Sequence, residues 1–210
     1  MTMAEVDLHL HTTASDGRLT PARLVALAAK QGLKVIAITD HDSTDGLEEA
    51  YEEAREHRQL RLIPGIELGT DMPGDEIHVL GYFLQYREDG IQNILQKFRL
   101  GRVHRARRMV EKLHEQGIEL EWERVQQIAG EGSVGRPHIA LAMVEKGYIS
   151  HPKDAFISHL GRQGSAYVDR EKLTPREAVL LIRSWGGAAV LAHPAYIQQD
   201  LDGILEDLKS

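Results

Sequence analysis

The 210-residue chain contains no cysteine. Disulfides and thiolate metal sites are therefore excluded, and any metal ion must take nitrogen and oxygen ligands. No apolar run reaches transmembrane length. The N-terminus lacks a basic segment followed by an apolar one, so no signal peptide is read. The plain expectation is a bacterial-type cytoplasmic protein with no membrane partner. Positive charge is not in excess either: Lys+Arg number 25 against 32 Asp+Glu, a formal net charge of -7. That argues against an extended duplex nucleic acid held on a broad basic surface. It does not exclude a phosphate substrate bound through metal ions, which supply positive charge locally. Sequence repeats and low-complexity linkers are also missing.

What is present is ordinary in bulk, with 42% apolar and 27% charged residues. The length allows one sizeable core, with room for an insertion. Eleven histidines are many for this length, and they do not form a tag-like run. Two of them open the chain's first strand pattern, Val6-Asp7-Leu8-His9-Leu10-His11. Apolar and polar residues alternate there, and a strand has period two, so His9 and His11 share a side. The chain then turns through small polar residues to Asp16-Gly17.

Thr20-Pro21 starts a helix that Gly32 stops. Leu33 to Thr39 reads as a buried strand and ends in Asp40-His41-Asp42. A Glu- and Ala-rich helix follows Asp45-Gly46 to about His57. Strands are read over Leu60 to Leu68, which carries Glu67, and over Glu76 to Leu84, which carries His78. The β-α-β-α-β alternation implies a mostly parallel sheet, open or closed. Ligand sites in such sheets lie at the C-terminal strand ends. From Asp89 to Ser165 the pattern turns helical. Ile91 to Gln116 forms one long helix whose Arg99, Arg102, Arg105, Arg107 and Arg108 read as a solvated or salt-bridged face. Gly135-Arg136-Pro137-His138 opens another helix, and Arg136 at that N-terminus suits an anion. Sheet-like order is expected again at Ala166-Tyr167-Val168. Thr174-Pro175 caps a helix to Trp185, and a short strand from Ala188 to Ala192 ends in His193-Pro194.

Taken from the strand ends, His9, His11, Asp16, His41, Glu67, His78 and His193 make a set of imidazoles and carboxylates. Such a set suits Zn, Mn, Fe or Ni, and a bridging Glu suits more than one ion. Each residue alone also has an ordinary structural reading. Asp16 can form a turn. Asp40 can cap the next helix or orient His41 from behind. Their coincidence at one sheet edge favours the metal reading.

Asp-Leu-His-Leu-His-Thr, Ser-Asp-Gly, Ile-Thr-Asp-His-Asp, Gly-Ile-Glu, Ile-His-Val-Leu-Gly-Tyr and Leu-Ala-His-Pro span residues 7 to 194. Together they resemble the polymerase-and-histidinol-phosphatase (PHP) family. Within it the chain is most similar to phosphoesterases of nucleoside 3',5'-bisphosphates and of the 5' ends of short RNA. The resemblance implies an α/β fold, a distorted (β/α)7 TIM-like barrel, over residues 1–88 and 166–210. Residues 89–165 would be a helical insertion capping the site. It implies two or three divalent ions, Mn, Fe or Zn. His9, His11 and Glu67 would hold one; Asp16, His41 and His193 a second; Glu67 would bridge to a third beside His78. Arg136 and His138 would be substrate clamps. No side-chain nucleophile is needed, because hydroxide on the metal would attack phosphorus.

One departure stands out. The family continues past Ala-His-Pro with more β/α units and ends in an Asp-x-His motif that supplies two further ligands. No such motif follows His193. The expected barrel therefore lacks its last strands, and the ion set is fewer. A truncated form, a partial chain or completion by another chain would each account for this. The leading expectation is a metal-dependent phosphoesterase acting on nucleotides or short RNA. The rivals are a non-catalytic metal- or nucleotide-binding domain and a histidinol-phosphate phosphatase.

Overall fold

A computed structural model describes residues 5–72, 75–169, 173–197 and 200–209. In chain order the elements are β1 (Val6–Leu10), α1 (Pro21–Lys30), β2 (Val35–Ile38), α2 (Leu47–Ala54), β3 (Arg61–Met72) and β4 (Asp75–Tyr82). The helices α3 (Asp89–Glu115), α4 (Trp122–Ala129), α5 (Arg136–Glu145) and α6 (Pro152–Ala155) follow, with a single π-helical turn at Phe156–Leu160. The chain closes with α7 (Pro175–Ser184), β5 (Ala188–Leu191), a 3-10 turn at Pro194–Tyr196 and α8 (Leu201–Lys209). Contacts divide it into two compact units, Met1–Leu95 with Lys172–Ser210, and Gln96–Glu171. Among the described residues no helix is long and apolar enough to cross a membrane.

The first unit holds a five-stranded sheet in the order β1-β2-β3-β4-β5. The pairs β1–β2 and β2–β3 are parallel. Here the alternation misleads: no helix separates β3 from β4. They pair antiparallel from Gly65↔Tyr82 to Met72↔Asp75, and β4 pairs antiparallel with β5. The strands β1, β2, β3 and β5 thus point one way and β4 the other. A Pro-Gly dipeptide, residues 73 and 74, lies between β3 and β4 in the sequence. Such a dipeptide is a turn signal in sequence, and the mostly parallel sheet expected from the alternation is instead mixed.

The sheet curls strongly. Ala37, Ile63, Leu80, Tyr82 and Ala192 form one buried cluster, with Leu8 and Val35 packed against it. Tyr82 Oη donates to the Leu8 carbonyl at 2.9 Å, joining β4 to a strand it does not pair with. Gly65 permits the tight crossing: a Cβ there would lie 2.8 Å from Thr39 Cγ2 and 2.9 Å from the Ile38 carbonyl. On the outside, α1 starts as its sequence directs. Thr20 accepts from the Arg23 amide, Pro21 takes the first helical position, and Gly32 beyond the last turn has φ +82.

The second unit is helical. Met109, Leu113, Val125, Ile139, Met143 and Leu160 are fully buried in its core. Ala166-Tyr167-Val168 is not a strand. Its backbone carbonyls are taken by side chains of α3: Arg105 Nε donates to Val168 at 2.7 Å and Lys112 Nζ to Tyr167 at 2.8 Å. Ala166 and Val168 are buried in the helical core. Arg105 also departs from the solvated-face reading. It is 7% exposed, and its guanidinium lies 5.0 Å from the centre of the Tyr167 ring. Two donors and a flat cation fix this segment where a strand neighbour would otherwise be needed.

Candidate metal centre

The period-two geometry of β1 puts His9 and the adjoining His11 on one side. His41 follows β2 and forms an isolated parallel bridge with Glu67 on β3, three residues beyond the last pair Ile38↔Pro64. His78 sits on β4 opposite Gly69, two residues from Glu67. It enters from the antiparallel strand, not from a C-terminal strand end. His193 follows β5 with φ 28 and ψ 59. A non-glycine residue in that left-handed region, directly before a proline, is held there against its own preference.

All five imidazoles converge on Glu67, which is 1% exposed. His9 Nε2 and His11 Nε2 each lie 3.0 Å from Oε2, and His41 Nδ1 lies 3.4 Å from it. His78 Nδ1 lies 2.8 Å from Oε1, and His193 Nε2 lies 3.0 Å from it. The rings also touch one another in a closed circuit. Centroid separations run 5.1 Å from His9 to His11, 4.8 Å to His41, 5.1 Å to His78, 5.1 Å to His193 and 5.7 Å back to His9. Asp16 joins from the loop after β1, with Oδ1 3.3 Å from His11 Nδ1 and Oδ2 3.7 Å from His41 Nε2.

Three groups bring their ligand atoms within 4.8 Å of one another: His9, His11 and Glu67; His11, Asp16 and His41; and His41, Glu67 and His78. His193 is in none of these three groups, and its Nε2 lies beside Glu67 Oε1. Neutral imidazole and ionised carboxylate are the donor set that Mn, Fe and Zn accept, so the residues fit a divalent-metal centre. The electrostatics agree. Burial alone would lower the His11 pKa, but hydrogen bonds to Asp16 and Glu67 outweigh it and push it up to about 10. His78 also rises, because Glu67 and Glu76 outweigh burial. Burial would raise Glu67, yet His11, His193, His78 and His9 together hold it far below the usual carboxylate range. The Glu67 carboxylate thus favours the protonated forms of His11 and His78, and a metal ion would compete with those protons for the same nitrogens.

Asp40 supports the loop rather than His41 or the next helix. It is 1% exposed. It accepts from the Thr12 amide at 2.7 Å, Thr12 Oγ1 at 2.7 Å and Ser15 Oγ at 2.5 Å. Burial pushes its pKa up, and those bonds from Ser15 and Thr12 pull it back. Ser15 Oγ is also 3.4 Å from His11 Nδ1, so one buried acid fixes the loop that presents Asp16. Gly17 is obligatory here, because a Cβ would collide with the His11 backbone carbonyl. Asp40→Ala should leave two hydroxyls and an amide without their acceptor. We expect it to destabilise the fold by about 3 kcal/mol in urea titrations and to weaken Mn affinity roughly 10–100-fold.

Sequence reasoning did not single out Thr12, Ser15, Asp42 or Glu76. Asp42, with φ 49, donates its amide to the Glu67 carbonyl at 3.0 Å and accepts the Gly69 amide at 3.3 Å, bracketing Leu68 just after Glu67. Glu76 Oε1 stands 3.9 Å from His78 Nε2. The period-two spacing of Glu76 and His78 was available as a signal; the partners of Asp42 were not. In the helical unit, Arg136 and His138 lie on the first turn of α5. The Arg136 guanidinium is 5.6 Å from the centre of the Phe156 ring. His138 is 5% exposed, and its Nδ1 accepts the Gly135 amide at 3.0 Å.

Comparison with known proteins places this centre in context. The family model of the PHP domain matches residues 7–178. The 5'-3' exoribonuclease Rnm of Salmonella typhimurium is 39% identical over 90% of this chain, and the chain spans 64% of that protein's length. The 3',5'-nucleoside bisphosphate phosphatase of Chromobacterium violaceum is 32% identical over 91% of the chain and 67% of its own length. Among solved structures, an amidohydrolase from Chromobacterium violaceum with bound sulfate superposes at TM-score 0.89. It shares 29% identity and covers 98% of this chain and 74% of the other. A Bifidobacterium adolescentis protein provisionally named a metal-dependent phosphoesterase superposes at 0.88 with 32% identity, covering 97% and 73%.

Proposed function

The chain belongs to the PHP domain family, and from that premise we propose that it hydrolyses phosphate esters of nucleotides, either 3',5'-bisphosphate nucleotides or short 5'-phosphorylated RNA. The observation that carries the reading is the buried Glu67 carboxylate inside a closed ring of five imidazoles. The curl of the sheet supports its being part of a (β/α) barrel whose mouth holds the ring. His9, His11, Asp16, His41, Glu67, His78 and His193 are the proposed ligands of two or three Mn, Fe or Zn ions. Such ions, when bound, lower the pKa of water and neutralise phosphoryl oxygens.

The chain's own residues do the positioning. Glu67 turns Oε2 toward His9, His11 and His41 and Oε1 toward His78 and His193, so either oxygen could help to hold an ion. Asp40, acting through Thr12 and Ser15, sets the height of Asp16. Asp42 holds β3 on either side of Leu68 and so fixes the direction of Glu67. In the helical unit, Arg136 and His138 are the proposed phosphate-gripping pair. Arg136 carries a permanent charge at a helix start. His138 Nδ1 accepts the Gly135 amide at the start of the same helix.

The test is direct. Inorganic phosphate is measured from adenosine 3',5'-bisphosphate, and nucleoside 5'-monophosphate from a short 5'-phosphorylated RNA, with Mn present. We expect turnover that EDTA removes and that His9→Ala reduces by more than about 100-fold, as loss of a metal ligand should. A chain that binds Mn but releases neither phosphate from the bisphosphate nor mononucleotide from the RNA would overturn the reading, as would unchanged turnover in His9→Ala.

A further inference from the structure

Tyr196 is the most solvent-exposed large hydrophobic side chain among the described residues, at 80%. Its place is not arbitrary. It lies three residues after His193, in the 3-10 turn that Pro194 begins. The Tyr196 amide donates to the His193 carbonyl at 3.1 Å, and the Ile197 amide donates to the Pro194 carbonyl at 3.1 Å. Its ring stands 6.0 Å from the His193 ring at 67°, an edge-to-face contact. His193 in turn reaches Glu67. A flat aromatic surface is thus fixed by a rigid turn at the rim of the imidazole ring, with its side chain four-fifths in water.

An exposed tyrosine gains little from burial in the folded chain. What it offers instead is a π-face at low entropic cost, because its backbone is already set by the turn. Bases stack on such faces whatever their identity. Resting on the nucleotide reading above, we propose that Tyr196 is the platform on which the base of a nucleotide stacks while its phosphate lies at the imidazole ring. The subsite recognises a nucleobase as an aromatic surface, without reading its edge. Purines, with the larger π-face, are favoured over pyrimidines.

The experiment compares two ligands that differ only in the base. AMP and ribose 5-phosphate are titrated calorimetrically into the Mn-loaded chain, for wild type, Tyr196→Ala, Tyr196→Phe and Tyr196→Trp. We expect Tyr196→Ala to weaken AMP about tenfold, Phe and Trp to stay within about twofold of wild type, and ribose 5-phosphate to be unchanged throughout. A second readout is spectroscopic: the fluorescence of 2-aminopurine ribonucleoside 5'-monophosphate should be quenched on binding to wild type and less so in Tyr196→Ala. Equal AMP affinity in wild type and Tyr196→Ala, or equal loss for both ligands, overturns the platform and leaves the phosphoesterase reading standing. If the Mn-loaded wild type binds neither ligand, the reading of the centre falls, and the platform with it.

Discussion

Glu67→Gln should weaken Mn affinity by more than about 100-fold, beyond the roughly 10–100-fold typical of residues that only support a ligand. The substitution keeps the shape of the side chain and removes its charge. Five imidazoles now face Glu67 within 3.4 Å. With an amide in its place, His11 and His78 lose the Glu67 charge that helps to raise their pKa, and an ion held there would lose a charged ligand. The variant should still fold, because a neutral amide can bond to neutral imidazoles. Titration of the histidine ring protons by NMR gives the decisive check. The His11 pKa, now pushed up to about 10, should fall toward its ordinary 6.5. A Glu67→Gln protein that keeps wild-type Mn affinity would remove Glu67 from the ligand set.

The second large effect is on pH. A His whose folded pKa is raised stabilises the fold fully below its unfolded value and loses that contribution as pH climbs through the folded value. For His11 the window runs from 6.5 to about 10. Glu67 acts in the opposite direction: its contribution is present above its ordinary value of 4.5 and fades only in strong acid. In EDTA, the melting temperature should therefore decline by several degrees from pH 6.5 toward pH 10. With Mn the decline should flatten or reverse, because bound metal replaces the protons. Mn affinity itself should rise about tenfold per pH unit for each proton displaced. A melting temperature that is flat across this window in EDTA would contradict the raised His11 pKa.

Much of the centre was legible because its geometry is local. The spacing of His9 and His11 needs only the period of a strand. Asp16-Gly17 needs only a turn whose glycine admits the His11 carbonyl. The ends of α1 and α7 follow from Thr-Pro caps, and in α7 Glu177 completes the pair with Thr174. What was not legible depends on partners distant in sequence. Asp40 finds Thr12 and Ser15 across 28 and 25 positions. The carbonyls of Tyr167 and Val168 find Lys112 and Arg105 across 55 and 63. Alternating hydrophobicity cannot tell a strand paired to a strand from an extended segment pinned by side chains. The antiparallel pairing of β3 with β4 is a different kind of miss: both strands were read from the sequence, and only their direction departs from the mostly parallel sheet expected.

The crowding of imidazoles has a practical consequence. Nitrogen-rich sites prefer nickel and copper to manganese on intrinsic affinity. Five histidines arranged as a preformed collar make the protein an efficient scavenger of whatever borderline cation it meets first. A preparation taken through a nickel column is expected to carry nickel, which elemental analysis of the eluted protein would show. Its colour, melting point and reaction rate will then report the chromatography rather than the biology, unless the ion is stripped and replaced.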